Sequence, residues 1–222
     1  MCYSKEVSQR SFIINIITSY ILYTYSHKIE NKLFALMFAF VGLMQLYDWI
    51  FWENQDITFK TQADINFVTT KLAMITNHLQ PIVLTFLIYY FKGKIGKMST
   101  YILIIYITLM MIYSIKTFNK ITYTLTEKVD VRRLVKDEKR TSLFWEWNYN
   151  EKDGNVVVYS IFLLTVTFLF YENISYPMNI IMSFITVFTY GLSWYIFKGH
   201  ALGRFWCNFS AFIPLLILFI NT

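Results

Sequence analysis

The residues best suited to chemistry lie in the middle of one long apolar run, residues 69–91. Asn77, His78 and Gln80 bring three hydrogen-bonding side chains to this run, one of them titratable, and Pro81 removes a main-chain donor. The run is about as long as a bilayer-spanning helix, which needs roughly 20 residues. In hydrocarbon each of these groups costs free energy unless a partner satisfies it. Other parts of the chain must therefore meet this run inside the membrane, and the run marks the position of a site.

Polar groups also occur at comparable depth in two other apolar runs, one before and one after this run. Counting along each run places all of these groups in the half of the membrane nearer the N-terminus. At 1.5 Å per residue they occupy a band on the order of 10 Å deep. We therefore predict one polar pocket, open toward the N-terminal side. Its residues are Gln45, Asp48, Asn77, His78, Gln80, Cys207 and Asn208.

Two chemistries fit this pocket. In a pathway for a small solute or an ion, Asp48 and His78 form the titrating pair and the amides are neutral ligands. In a membrane-embedded hydrolase, Cys2, Asp48, His78 and Cys207 bind zinc, which activates a water molecule. No HExxH motif and no set of several histidines accompanies that second interpretation. Transport or channel activity is therefore favoured over the hydrolase.

A purely structural role is the alternative for each residue taken alone. Asp48 lies near a helix end, from which its carboxylate can reach the interface. The amides can bond one another as contacts between helices, and His78 can be a neutral histidine of the interior. The group as a whole favours a functional cavity, because ionisable residues inside a membrane usually mark function.

Composition excludes several other classes of protein. The 222 residues are 56% apolar and 15% charged, whereas soluble domains carry about 25% charge. The net charge of +6 is spread over short segments between apolar runs, where bases meet lipid headgroups, so no nucleic-acid partner is expected. A retinal protein is excluded because the last apolar run has no lysine for a Schiff base. The expected partners are the lipid bilayer and a small solute or ion.

Seven apolar runs predict an all-α membrane protein, a single domain built as a bundle of seven transmembrane helices. In the first run Asn15 and Ser19 share one face, which is expected to point into the bundle. The fourth run has no ionisable group except tyrosines and is expected to be lipid-facing scaffold. Pro81 and Pro214 are expected to loosen the third and seventh helices. The runs cover approximately residues 11–25, 33–52, 69–91, 99–115, 155–171, 177–197 and 205–220.

Residues 116–153 form the one sizeable segment outside the predicted helices. Residues 121–126 and 142–149 alternate in polarity and are rich in β-branched or aromatic residues, which predicts a β-hairpin. The charged stretch 127–140 connects the two strands, and the polar side chains of the segment are expected to face solvent. A charged loop without strands is the alternative, because an isolated hairpin is marginal in water.

The distribution of basic residues predicts an orientation. With seven helices the two termini lie on opposite sides, and the segment 116–153 lies on the N-terminal side. Most of the 20 Lys and Arg residues fall on that side, so the positive-inside rule places the N-terminus in the cytoplasm. The opposite side carries Lys28, Lys32, Lys92, Lys94 and Lys97.

Four short motifs lie along the chain. They are Met1-Cys2-Tyr3-Ser4, Gln45-x-x-Asp48 followed by Trp52, Asn77-x-x-Gln80-Pro81, and Trp206-Cys207 followed by Pro214. Together they resemble an uncharacterised family of small polytopic membrane proteins of large DNA viruses and some bacteria. Asp48 stands where that family is expected to have a glutamate. The resemblance carries no function. It implies only that five residues of this chain belong to one site, namely Cys2, Asp48, Asn77, Gln80 and Cys207.

Overall fold

The computed structural model describes residues 4–130, 139–144, 155–197, 206 and 209–221, and helices make up most of that part. In the described residues, α2, α3 and α4 are long and apolar enough to cross a membrane, and shorter apolar helical stretches lie in α5 and α6. The prediction of a largely helical chain with membrane-spanning segments is confirmed at this level. The helix bounds are Lys5–Tyr25 (α1), Ile29–Glu53 (α2), Lys60–Lys92 (α3), Lys97–Thr117 (α4), Asn155–Asn173 (α5), Met178–Phe197 (α6) and Ile213–Asn221 (α7).

The first helix, α1, buries mostly polar residues, and along its middle turns it exposes apolar ones. In water the stable arrangement is the reverse, with an apolar stripe facing the core. A polar interior under an apolar exterior suits surroundings of lipid, where polar groups must find partners within the protein. The buried residues are Ser8, Ser11, Asn15, Thr18, Ser19 and Leu22. The exposed residues include Ile13, Ile16, Ile17, Tyr20 and Tyr23.

The third helix, α3, begins at Lys60 and so starts well before the predicted run of residues 69–91. Its 33 residues measure about 50 Å at 1.5 Å each, which exceeds the roughly 30 Å of the hydrocarbon core. No Gly or Pro lies between Lys60 and Asp64, so the helix continues beyond the predicted span. At the other end Gly93 adopts the left-handed conformation, with φ of 71°, and closes α3.

The last helix, α7, differs from the continuous helix predicted over residues 205–220. A turn at residues 211–212 interrupts that stretch, and α7 has only 9 residues, about 14 Å in length. Pro214 is the physical reason, because its ring has no N–H and crowds the carbonyl of the residue four positions earlier. That residue is Ser210, whose carbonyl accepts a hydrogen bond from Asn15 Nδ2 at 3.2 Å.

Two strands follow α4, at positions shifted from the predicted ones. Strand β1, Leu125–Asp130, pairs in antiparallel register with β2, Lys139–Phe144. The strands predicted at residues 121–126 and 142–149 therefore have the wrong bounds, and residues 145–149 lie outside the described part of the chain. Residues 121–124 instead lie beside the α2–α3 connection, where Thr124 is fully buried. The expectation that polar residues of this segment face solvent is wrong for Thr124.

The bundle has two ends with different chemistry. At the N-terminal end an ion pair of 2.6 Å between Lys5 and Glu53 joins the start of α1 to the end of α2. The α2–α3 connection and Thr124 lie at the same end. The other end contains the α1–α2, α3–α4 and α5–α6 connections. It is called here the lysine-rich end because it carries Lys28, Lys32, Lys92, Lys94 and Lys97. An ion pair between Glu30 and Lys92 joins two of its helices.

Candidate functional site

Four polar side chains of the predicted pocket are buried on α2 and α3. Gln45 and Asp48, one helical turn apart on α2, both have 0% of their surface exposed. Asn77 and Gln80, also one turn apart, are buried on α3. Large apolar residues occupy most other inward positions of α2. The structure therefore buries polar side chains at neighbouring turns of two packed helices.

Trp206 connects the α3 amides to the rest of the interior. Gln80 donates from Nε2 to Asn77 Oδ1 at 3.3 Å, and its Oε1 accepts from Trp206 Nε1 at 3.4 Å. The indole also packs against Phe38 of α2 and Tyr190 of α6, with ring centroids 6.2 Å away in both cases. Trp206 thus contacts the polar face of α3, and it is itself buried.

His78 lies one position away from Asn77 and contacts a different helix. Its ring lies edge-on to Tyr113 of α4, with 5.9 Å between centroids, and its Nδ1 atom is buried without a hydrogen-bond partner. Its main-chain carbonyl accepts a hydrogen bond of 2.7 Å from the Tyr106 hydroxyl. Asn77 and Gln80 are thus directly bonded, whereas the His78 imidazole lies on the α4 side of α3.

Part of the predicted site lies outside the described residues. Cys2, Cys207 and Asn208 are in this part, so only Asp48 and His78 of the predicted zinc ligands have a described position. Within residues 4–130, 139–144, 155–197, 206 and 209–221, no group of three His, Cys, Asp or Glu side chains could hold a metal ion. The zinc site stays a prediction that depends on residues 2 and 207.

The polar stripe of α1 adds further groups at the level of the pocket. The Lys5–Glu53 ion pair fixes the register of α1 against α2 at one end. A second contact fixes this register nearer the middle of α1, where the Asn15 side chain packs closely against Gly42 of α2. A Cβ added at Gly42 would meet the Asn15 side chain. Between these points α1 and α2 run antiparallel, so Ser11 lies near the level of Asp48. The sequence signal for this stripe is helical spacing of polar residues at positions 8, 11, 15, 18 and 19.

Comparison with known proteins adds no relative. No protein-family model matches the chain, and neither a curated protein nor a solved structure is similar to it. The chemistry of the site therefore follows from its own residues.

A second polar network, which the sequence analysis missed, holds the N-terminal end together. Asn66 of α3 is fully buried and donates from Nδ2 to the carbonyls of Asn54, at 2.7 Å, and Thr124, at 3.0 Å. Its Oδ1 accepts from the Thr124 N–H at 2.9 Å. The Thr124 hydroxyl lies 3.0 Å from that of Thr70. The network fixes the start of the segment 116–153 beside the mouth predicted for the pocket.

A third network, at the lysine-rich end, was also missed. The Glu172 carboxylate accepts hydrogen bonds from the N–H and the hydroxyl of Ser99, both 2.7 Å long. Asn173 Oδ1 accepts from the Gly96 N–H at 2.7 Å, and Asn173 Nδ2 donates to the Ser99 hydroxyl at 2.9 Å. The end of α5 thereby caps the start of α4, whose first N–H groups have no partner within their own helix. Sequence offers little signal for such a cap, because its partners are more than 70 positions apart.

Proposed function

We propose that this chain is a multi-pass integral membrane protein with seven membrane segments and a cytoplasmic N-terminus, and that it moves a small polar solute or an ion through its interior. The first support is the membrane-spanning length and composition of α2, α3 and α4. The second is the polar interior and apolar exterior of α1. Both features are stable in lipid and unfavourable in water.

Tyrosines at the lysine-rich end support the placement of further helices in the bilayer. Tyrosine is enriched at membrane–water interfaces, where its ring meets the acyl chains and its hydroxyl meets water. Exposed tyrosines occur at the ends of α1, α3 and α5, at the start of α4, and in the α5–α6 connection. They are Tyr25, Tyr89, Tyr90, Tyr101, Tyr171 and Tyr176.

The observation that favours transport is the complete burial of Asp48 and Gln45 on α2, a helix that packs against α3 with its buried Asn77 and Gln80. A carboxylate inside a helix pair in lipid costs stability, and apolar residues of similar size would pack there at lower cost. Transient binding of a cation or a proton to Asp48 is a functional reason for a carboxylate at this position despite the lower stability. Neutral amides nearby supply ligands that bind a cation or a hydroxyl group without trapping it.

In this proposal the pathway opens at the two prolines inside the third and seventh membrane segments. Pro81 and Pro214 each remove a main-chain hydrogen bond next to the polar region. Side chains from other helices donate hydrogen bonds to main-chain carbonyls near these prolines. Asn15 Nδ2 donates to the Ser210 carbonyl, and the Tyr106 hydroxyl donates to the His78 carbonyl. Such bonds can exchange without unfolding a helix, which suits a segment that moves during transport.

Flux measurements on the purified chain in liposomes test the proposal. Proton flux is followed with entrapped pyranine, and solute flux is followed by osmotic swelling in glycerol and in glucose. We expect protein-dependent flux of at least one probe, and loss of more than nine-tenths of it in Asp48→Asn. Asp64→Asn, an exposed position on α3, is the matched control and should retain flux.

Two results would count against transport. One is the absence of flux for every probe, and the other is equal flux in Asp48→Asn and in the unmodified chain. Stoichiometric zinc in purified protein, lost in Cys207→Ser, would favour the membrane-embedded hydrolase predicted as the alternative.

A further inference from the structure

A groove opens at the lysine-rich end, where α2 begins, α3 ends, α4 begins and α5 ends. It encloses about 710 Å³, which is large enough for a lipid headgroup or a small ligand. Its walls combine apolar side chains with a few polar ones. The apolar lining residues are Ile29, Phe91, Ile95 and Ile174, and the polar ones are Lys92, Lys94, Glu172, Asn173 and Ser175.

The charges around this groove leave an excess of positive charge. The two carboxylates of this end already have partners, since Glu30 binds Lys92 and Ser175, and Glu172 accepts from Ser99. The Glu172 charge is further offset by the partial positive charge at the start of α4. Lys94 is exposed and has no acidic partner among the described residues. The groove itself is lined by two lysines, Lys92 and Lys94, and one glutamate, Glu172, so an anion is favoured here.

The groove lies at the level of the exposed tyrosines described above. Tyr90 adjoins Phe91 on α3, with ring centroids 5.0 Å apart, and both Tyr90 and Tyr176 are exposed. This level corresponds to the headgroup region of a bilayer. Exposed apolar side chains continue from the groove along the bundle, including Ile29 and Phe86. A ligand with a charged head and apolar chains matches both parts of this surface.

We propose that this groove binds the phosphate-bearing headgroup of an anionic phospholipid, with Lys94 as the main cationic contact. The acyl chains lie along the apolar surface of α2 and α3 that begins at Ile29 and Phe91. The proposal depends on the placement of the chain in a bilayer and is independent of solute flux. It goes beyond the transport site, because the groove lies at the opposite end from the predicted pocket mouth.

Lipid binding to the full-length chain in detergent tests the proposal. Native mass spectrometry measures occupancy by phosphatidylglycerol and by phosphatidylcholine, which share a phosphate and differ in net charge. We expect several-fold higher occupancy by phosphatidylglycerol, and a roughly fivefold reduction in its affinity in Lys94→Gln, as for one lysine near a charged surface. Lys60→Gln, an exposed lysine at the other end of α3, is the matched control and should bind as the unmodified chain does.

Three results would overturn the proposal. Equal occupancy by the two lipids would show that charge does not select the ligand. Unchanged phosphatidylglycerol binding in Lys94→Gln would place the lipid elsewhere. Displacement of the lipid by low millimolar inorganic phosphate would show a site for a free anion. Because none of these measurements involves flux, failure here and failure of the transport proposal are distinguishable.

Discussion

Asn15 of α1 donates from Nδ2 to the carbonyl of Ser210, the main-chain acceptor four positions before Pro214. In an uninterrupted helix the N–H of residue 214 would make that bond, and proline has none. A side chain from another helix thus replaces a missing main-chain donor inside the bundle. Gly42 makes the contact sterically feasible, because a Cβ there would occupy the space of the Asn15 side chain.

A double-mutant cycle tests this replacement. Asn15→Ala should lower the free energy of unfolding by about 1 kcal/mol or more, since it removes a hydrogen bond to a buried carbonyl. In the background of Pro214→Ala the main-chain N–H of residue 214 is present, so the cost of Asn15→Ala should fall by about 1 kcal/mol or more. Denaturant titration in detergent micelles measures both values. Equal costs in the two backgrounds would contradict the replacement, and Thr24→Ala on the exposed face of α1 is the control.

The Gln80–Trp206 contact gives a second prediction. Trp206→Phe keeps an aromatic ring against Phe38 and Tyr190 but removes the indole N–H that Gln80 accepts. We expect a loss of about 1 kcal/mol of stability, the usual net value of one hydrogen bond. In the Trp206→Phe background Gln80→Leu should cost about 1 kcal/mol less than in the unmodified chain, because only the Gln80–Asn77 bond remains to be lost. Fully additive losses in the double variant would show that the two side chains do not interact.

Sequence predicted the helices well where the ends of apolar runs are marked by charge or by breakers. The fourth run, predicted over residues 99–115, is part of α4, Lys97–Thr117, and the sixth, 177–197, nearly coincides with α6, Met178–Phe197. Polar spacing on α1 also indicated the inward face of Asn15 and Ser19, both of which are buried. These features depend on local composition, which a single sequence contains.

The parts that sequence reasoning missed depend on contacts between distant residues. Which way His78 faces depends on the rotation of α3 about its axis, and apolar residues on all sides leave that rotation undetermined. The fourth run was expected to be scaffold, yet Tyr106 of α4 bonds the His78 carbonyl. The cap of α4 by Glu172 likewise joins two helices. Composition does not show which helices pack against each other.

That cap yields a prediction about pH. Burial raises the pKa of the Glu172 carboxyl, but hydrogen bonds from Ser99 and Met98 outweigh it and hold this pKa below its usual 4.5. Because the pKa is lower in the folded state, the stabilisation is complete above pH 4.5 and is lost as the pH falls through the lowered value. Thermal unfolding in detergent between pH 6 and pH 3 should show a smaller decrease for Glu172→Gln than for the unmodified chain. Identical pH profiles would show that the carboxylate contributes nothing.

The Asn66 network predicts a strong dependence of stability on one amide. Asn66→Ala leaves the Asn54 carbonyl and the Thr124 N–H without their partner, whereas the Thr124 carbonyl keeps a hydrogen bond from Gln55 Nε2 at 3.2 Å. We expect a loss of about 2–4 kcal/mol in unfolding free energy, since buried unsatisfied groups cost about 1–3 kcal/mol each. Asp64→Ala, exposed and half a turn away on α3, should change stability by less than about 0.5 kcal/mol. Limited proteolysis within residues 121–144 should also accelerate in Asn66→Ala alone.

The two ends of the bundle predict a topology that labelling can test. The ion pair between Lys5 and Glu53 and the Asn66–Thr124 bonds bring the start of α1, the α2–α3 connection and residue 124 to one end. With Cys2 and Cys207 replaced by serine, single cysteines at exposed positions report the side. Those introduced at Ile57 and Thr122 should react with an impermeant maleimide from one side of sealed vesicles, and those at His27, Lys94 and Tyr176 from the other. Positive-inside charge makes the first side cytoplasmic. Labelling of Ile57→Cys and Lys94→Cys from the same side would mean that α3 does not cross the membrane, and the transport proposal would fail with it.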